Sequence, residues 1–157
     1  MENKFSYGSY GYIAMLDFNT AEKAVSIEPR VSVQYMQQAI EKILKHYLTL
    51  TYTGTSKEDV LHAHKLVFLA SQSNLSALKP YRGTLALLSQ YYFDGRYPGI
   101  DYMEPTLEDA EDLLKDVKQI FNIVLSAINA YQPSVSSINL PQTGMTKMSL
   151  NPSKKNL

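Results

Sequence analysis

Hydrophobic and polar positions follow each other along this chain with the period of a helix, most regularly between Val33 and Leu48. Val33, Met36, Ile40, Ile43, Leu44, Tyr47 and Leu48 recur at three- and four-residue steps, while Gln37, Glu41, Lys42 and Lys45 occupy other faces. Pro29 suits the first turn of this helix, where its missing N–H removes no helical bond. Gly54, within Thr53-Gly54-Thr55, supplies a left-handed stop. A second long stripe of Leu107, Ala110, Leu113, Leu114, Val117, Ile120, Phe121, Val124, Leu125 and Ile128 predicts a helix from Thr106 to Tyr131. Thr106 is its cap, Glu108 and Asp109 favour the positive end of its dipole, and Pro133 lies just beyond its end.

Shorter segments complete the pattern. Thr55-Ser56-Lys57-Glu58 has capping-box spacing ahead of Val60, Leu61, His64, Val67 and Phe68 on one face. Pro80 opens a segment with Tyr81, Leu85, Leu88 and Tyr92 on one stripe, and an N-terminal helix over Tyr10–Ile27 is interrupted by Asp17, Asn19 and Thr20. No segment alternates with the two-residue period of a strand. About five amphipathic helices joined by short loops predict an all-α fold, an antiparallel up-down bundle over residues 1–132. Residues 133–157, rich in Ser, Asn, Pro and Lys, read as a flexible polar tail in which Val135, Ile138 and Leu140 could dock as a short strap.

Composition narrows the class. The 157 residues are 45% hydrophobic and 19% charged, which excludes a disordered, collagen-like or disulfide-scaffold chain. With no cysteine, zinc-thiolate sites, iron–sulfur clusters and a thiol nucleophile are excluded as well. The net charge of zero is unevenly spread. The last 25 residues carry Lys147, Lys154 and Lys155 and no acid, so the preceding 132 hold 12 basic against 15 acidic side chains. An acidic body is a poor footprint for tight, sequence-independent binding of nucleic acid. No apolar run is long enough for a membrane span, and Met1-Glu2-Asn3-Lys4-Phe5-Ser6-Tyr7-Gly8 lacks the layout of a signal peptide. A cytoplasmic protein without membrane contact is the expectation. Leu140-Pro141-Gln142-Thr143-Gly144 matches a cell-wall sorting signal, but the residues after it are too polar to span a bilayer, so it is read as no anchor.

Several side chains invite a chemical reading. His62 and His64 are two apart, about 200° around a helix, and cannot converge on one ion; His64 on the apolar stripe reads as a hydrogen-bonded core histidine. Glu41 and Lys45, at i and i+4, read as a solvated helix pair. Glu108, Asp109, Glu111 and Asp112 read as a charged helix start rather than a metal site. With no glycine-rich phosphate loop, nucleophile elbow or zinc signature, neither a cofactor nor a metal is expected. Tyr91-Tyr92-Phe93-Asp94-Gly95-Arg96-Tyr97-Pro98-Gly99 packs four aromatic residues around one arginine. It reads either as a helix end with half-buried tyrosines or as an aromatic platform carrying a guanidinium, suited to a base and a phosphate. An up-down bundle would gather Tyr52, His62, Arg96, Tyr97, Asp101 and Glu104 at one pole, with His46 and Lys45 about 9 Å down the second helix.

Three blocks carry a resemblance. Gln37-Gln38-Ala39-Ile40-Glu41-Lys42-Ile43-Leu44-Lys45, then His64-Lys65-Leu66, then Gly95-Arg96-Tyr97-Pro98, with the acidic-started final helix, resemble the HEPN domains (higher eukaryotes and prokaryotes nucleotide-binding) over roughly residues 10–130. The resemblance implies a small helical bundle, homodimeric, encoded in prokaryotes beside a minimal nucleotidyltransferase in toxin–antitoxin or defence settings. Some members cleave RNA with an Arg followed four to six residues later by His; others bind nucleotides or act as non-catalytic modules. Neither Arg30, Arg82 nor Arg96 has a histidine at that spacing, and Lys57 before His62 lacks the planar fork of arginine. The expectation is therefore a nucleotide- or RNA-associated binding module without catalysis. Arg96 would pair a phosphate, Tyr97 or Tyr92 would stack a base, and Lys45, Lys65 or His64 would add positive or donor groups. The alternatives are a divergent metal-independent endoribonuclease using His62, His64 and Arg96, and a structural module whose helical face recruits a protein.

Overall fold

The computed structural model describes residues 2–94, 99 and 102–131, and all regular structure among them is helical. Six α-helices follow in order: α1 (Tyr10–Ala24), α2 (Pro29–Thr51), α3 (Lys57–His62), α4 (Leu66–Ser73), α5 (Arg82–Asp94) and α6 (Leu107–Ala130), with a 3-10 helix over Ser76–Tyr81. The tail from residue 132 onwards, with its expected strap and sorting-signal match, lies outside the described residues.

Local chemistry explains most of the boundaries. The Tyr12 N–H donates to Ser9 Oγ at the start of α1 (3.2 Å). Thr106 and Asp109 form a reciprocal capping box on α6, the side chain of each receiving a bond from the other's backbone N–H. Pro29 occupies the first turn of α2. That helix stops at Thr51 because Tyr52 turns to extended backbone (φ −75°, ψ 123°), two residues before Gly54. Gly54 is not left-handed, contrary to expectation. Its missing side chain serves a close approach instead, since a Cβ there would sit 2.4 Å from the Tyr52 hydroxyl oxygen. The left-handed stop belongs to Asn74 (φ 56°), which ends α4. Pro80 lies inside the 3-10 helix rather than opening α5.

The segment read as one helix from the Thr55 capping-box spacing is two helices. Ser56 precedes α3 without a side-chain capping bond, and Ala63 and Lys65 are extended (ψ 147° and 112°), breaking the helix between His62 and Leu66. The break has a donor account: the Leu66 N–H, which a continuous helix would direct to the His62 carbonyl, donates to Ser89 Oγ of α5 (3.2 Å).

Helix α2 is the axis, packed against each of the other five α-helices. Its Met36, Ile40, Ile43, Leu44 and Leu48 are fully buried among Met15, Leu66, Leu69, Leu88 and Phe121. Helix α1 lies antiparallel to α2: the Gly11 N–H donates to His46 Nδ1 (3.1 Å), Lys42 pairs with Asp17, and Ser32 Oγ donates to the Ala21 carbonyl (2.7 Å). Helix α6 is antiparallel to α1, with the Phe18 and Phe121 rings stacked at 4.5 Å and Lys118 paired with Glu22 at 3.0 Å. Helices α2 and α6 therefore run in the same sense.

The N-terminal segment is fastened over α1 by aromatic contact. Phe5 meets the His46 ring edge-on at 4.7 Å and lies so close to Gly11 that a Cβ would come within 2.5 Å of its ring. Two outcomes follow. Phe121→Ala is expected to cost about 3–5 kcal/mol, read as a lower urea midpoint with an unchanged slope. Burial holds the His46 pKa below its ordinary value, and only the neutral ring can accept at Nδ1 from Gly11. Its stabilisation is complete above about pH 6.5, the unfolded histidine value, and is lost as the pH falls through the lower folded value. The urea midpoint should drop over that range, and His46→Gln should flatten the drop.

Candidate functional site

Gln37, Glu41 and Lys45 lie one turn apart on a single stripe of α2. Because α2 is surrounded, that stripe has no solvent to face: the three residues are 0%, 8% and 4% exposed. The expected solvated Glu41–Lys45 pair is therefore corrected to a buried one. Lys45 Nζ donates to Glu41 Oε1 (2.7 Å), Gln37 Nε2 donates to Oε2 (2.8 Å), and His64 Nδ1 meets Oε1 at 3.1 Å. Burial alone would raise the Glu41 pKa. The bonds from Lys45, Gln37 and His64, with the Lys45 charge, outweigh it and hold the carboxyl below its ordinary value.

An ionised carboxylate has no proton to give, so the bond to His64 assigns the proton to His64 Nδ1. Nε2 is then the ring nitrogen that Glu41 does not engage. The His64 side chain is 55% exposed, which corrects the core-histidine expectation. The reason is the break at Ala63–Lys65, across which helical spacing no longer predicts direction. The Tyr92 ring of α5, itself buried, lies nearly parallel to the imidazole (27°) with centroids 6.4 Å apart. The result is a fixed imidazole with an outward ring nitrogen and a tyrosine face alongside. At Nε2 it can make one hydrogen bond to a ligand, with the buried Tyr92 ring as its backing.

Of the residues singled out from the sequence, Lys45, His64 and Tyr92 are brought together. Lys45 contributes from below: its ammonium is paired with Glu41, so it positions the carboxylate instead of presenting a free charge. Lys65 is exposed but lines a different cleft, between α4, the 3-10 helix and α5. Arg96, Tyr97 and Asp101 lie outside the described residues. His62 bonds the Glu58 carbonyl within its own helix (2.8 Å) and His46 serves Gly11, so the three histidines do not meet.

The expected single pole is corrected too. Glu104 lies 3.9 Å from Arg30 at the start of α2, whereas Tyr52 lies at its end, about 33 Å away at 1.5 Å per residue. The break in α3–α4 supplies an extra reversal. Lys57 Nζ reaches the Thr49 carbonyl (2.7 Å), His64 reaches Glu41 two turns lower, and Gln72–Asn74 return to border Tyr47–Gly54. That added pass inverts the sense of α5 and α6 relative to a five-helix count.

The sequence profile of the HEPN domain family matches residues 11–127, and the chain belongs to that family. The match spans the whole Gln37–Glu41–Lys45–His64–Tyr92 cluster and carries a nucleotide- or RNA-related function with it. No curated protein and no solved structure matches the chain. Glu41 and Gln37 are the site residues that sequence reasoning missed. Their signal was polar residues at four-residue steps along a stripe of α2 that the packed helices enclose.

Removing one partner of a buried ion pair leaves the other uncompensated. Lys45→Met is expected to cost about 3–5 kcal/mol, and the double variant Glu41→Met/Lys45→Met less than the two single variants summed, measured as a double-mutant cycle in urea. The Glu41 contribution is present above the ordinary glutamate pKa, about 4.3, and is lost as the pH falls below it through the lower folded value.

Proposed function

We propose that this HEPN protein is a nucleotide- or RNA-associated binding module that uses the His64–Tyr92 corner as its contact surface. The observation that carries the reading is the imidazole held by a buried, ionised Glu41 beside a tyrosine face. A ring pinned at Nδ1 presents Nε2 in one direction, so little side-chain entropy is lost when a phosphate or a base edge binds there. Tyr92, buried behind the imidazole, fixes its plane rather than stacking a base itself, and Arg96, close in sequence, would add the guanidinium for a phosphate. Homodimerisation and a nucleotidyltransferase partner, implied by the family resemblance, belong to the same proposal: a module of this size would act by holding a ligand for, or presenting itself to, a second protein.

Thermal unfolding against a panel of mononucleotides and short RNAs tests it. A ligand at about a hundred times its Kd stabilises by about 2.7 kcal/mol, a rise in Tm of roughly 5 °C or more for a chain of this length. The rise is expected to shrink in His64→Ala and in Arg96→Ala, each checked for folding by circular dichroism. A rise undiminished in both variants would remove this corner from the site, and its absence with every ligand would favour a module that recruits protein alone.

The same observation favours a second reading, a divergent endoribonuclease. A histidine oriented by a carboxylate is the arrangement of a general base, able to take the 2′-hydroxyl proton as that oxygen attacks the adjacent phosphate; the P–O5′ bond breaks, leaving a 2′,3′-cyclic phosphate, and the departing 5′-oxygen takes a proton from water. RNA cleavage in EDTA that falls by about a hundredfold in His64→Ala, and partly in Glu41→Gln, would establish it.

A further inference from the structure

On another side of the bundle, α4, the 3-10 helix and the start of α5 enclose a cleft of about 620 Å³. Its floor includes Leu78 and Leu85, which are 3% and 1% exposed, and the Phe68 ring, 41% exposed, forms part of its wall. Lys65, Lys79 and Arg82 line it as well, and among the described residues no carboxylate does. The first 132 residues carry more acids than bases, yet this concavity gathers three cations and, among the described residues, no acid. None of the three takes part in an ion pair among the described residues.

We propose that this cleft binds a small organic anion with an aromatic body. The ring would sit against Phe68 over the leucine floor, and a carboxylate, sulfonate or phosphate on it would meet Arg82 with Lys79 and Lys65. The volume falls in the range of small-molecule sites, about 300–1,000 Å³, and an apolar concavity with a few convergent polar groups is their usual construction. Apolar contact alone would admit neutral compounds; the three cations select the anion, through charge-assisted bonds that an exposed surface of mixed sign would not provide. The chain's own last 25 residues are poor occupants, because they carry three lysines and no acid. The inference is independent of the proposed function, since neither His64 nor Tyr92 lines this cleft.

The test titrates 1-anilinonaphthalene-8-sulfonate, a fluorescent aromatic anion, onto the full folded chain, with the uncharged N-phenyl-1-naphthylamine alongside. One saturable site is expected for the sulfonate. Lys79→Gln/Arg82→Gln should weaken it about tenfold or more, while the neutral probe changes less than twofold. Lys115→Gln/Lys118→Gln removes the same charge from α6 and should leave both unchanged. Ser71→Trp, which fills the cleft, should abolish binding of both probes, with circular dichroism and the urea midpoint confirming the fold of every variant. Displacement by 2-naphthoate or 2-naphthyl phosphate then separates a carboxylate ligand from a phosphate one. Equal weakening by the two charge variants, displacement by poly(U) but by neither small anion, or unaltered sulfonate binding in Lys79→Gln/Arg82→Gln would each overturn the proposal.

Discussion

A carboxylate taken out of water stays ionised only if other groups replace the water, and for Glu41 three side chains do so. Lys45 and Gln37 come from the same helix, one turn to either side, whereas His64 comes from the far side of a chain reversal. The first two are local consequences of four-residue spacing. The third ties the α3–α4 connection to the middle of α2. Around that tie the rest is arranged: α4 starts just after His64, its first N–H is satisfied by Ser89 of α5, and Tyr92 of the same helix lies along the imidazole. A buried polar cluster of this kind adds little net stability over an apolar core, but losing one member is costly, so it specifies a single arrangement.

The same cluster links stability to chemistry. The groups that keep Glu41 charged also assign the proton on His64, and an imidazole with an assigned proton is directional. The site is thus an exposed tip on a rigid, buried support. The N-terminal end of the bundle works by the opposite logic, for His46 is kept neutral by burial so that it can accept from Gly11 beneath Phe5. One histidine is oriented by a charge and the other by the lack of one.

The His64 corner and the cationic cleft divide the candidate residues between them. Lys65 follows His64 directly, but the extended backbone at the break sends consecutive side chains to different sides: His64 towards α2 and Tyr92, Lys65 into the cleft with Phe68 and Arg82. Residues adjacent in a motif need not share a ligand. The break that creates the His64 corner also separates it from the cationic cleft.

Helical periodicity alone determined the all-α class, the long α2 and α6 with their apolar stripes, and the Thr106 cap, because each depends on spacings within one segment. The family blocks picked out Lys45 and His64, and the aromatic run picked out Tyr92, for the same reason: they are marked by residue type and order. Tertiary structure decided what those residues do. Whether Glu41 and Lys45 are wet or dry depends on how many helices surround α2, which no window of a few turns contains. Whether His64 faces the core or solvent depends on a break maintained by Ser89, some twenty-three residues away. Which pole receives Glu104 depends on the number of chain reversals before it, and one unrecognised break inverts that count. Spacing is a local property of the chain, while burial, partners and the sense of a helix are set by contacts between segments distant in sequence.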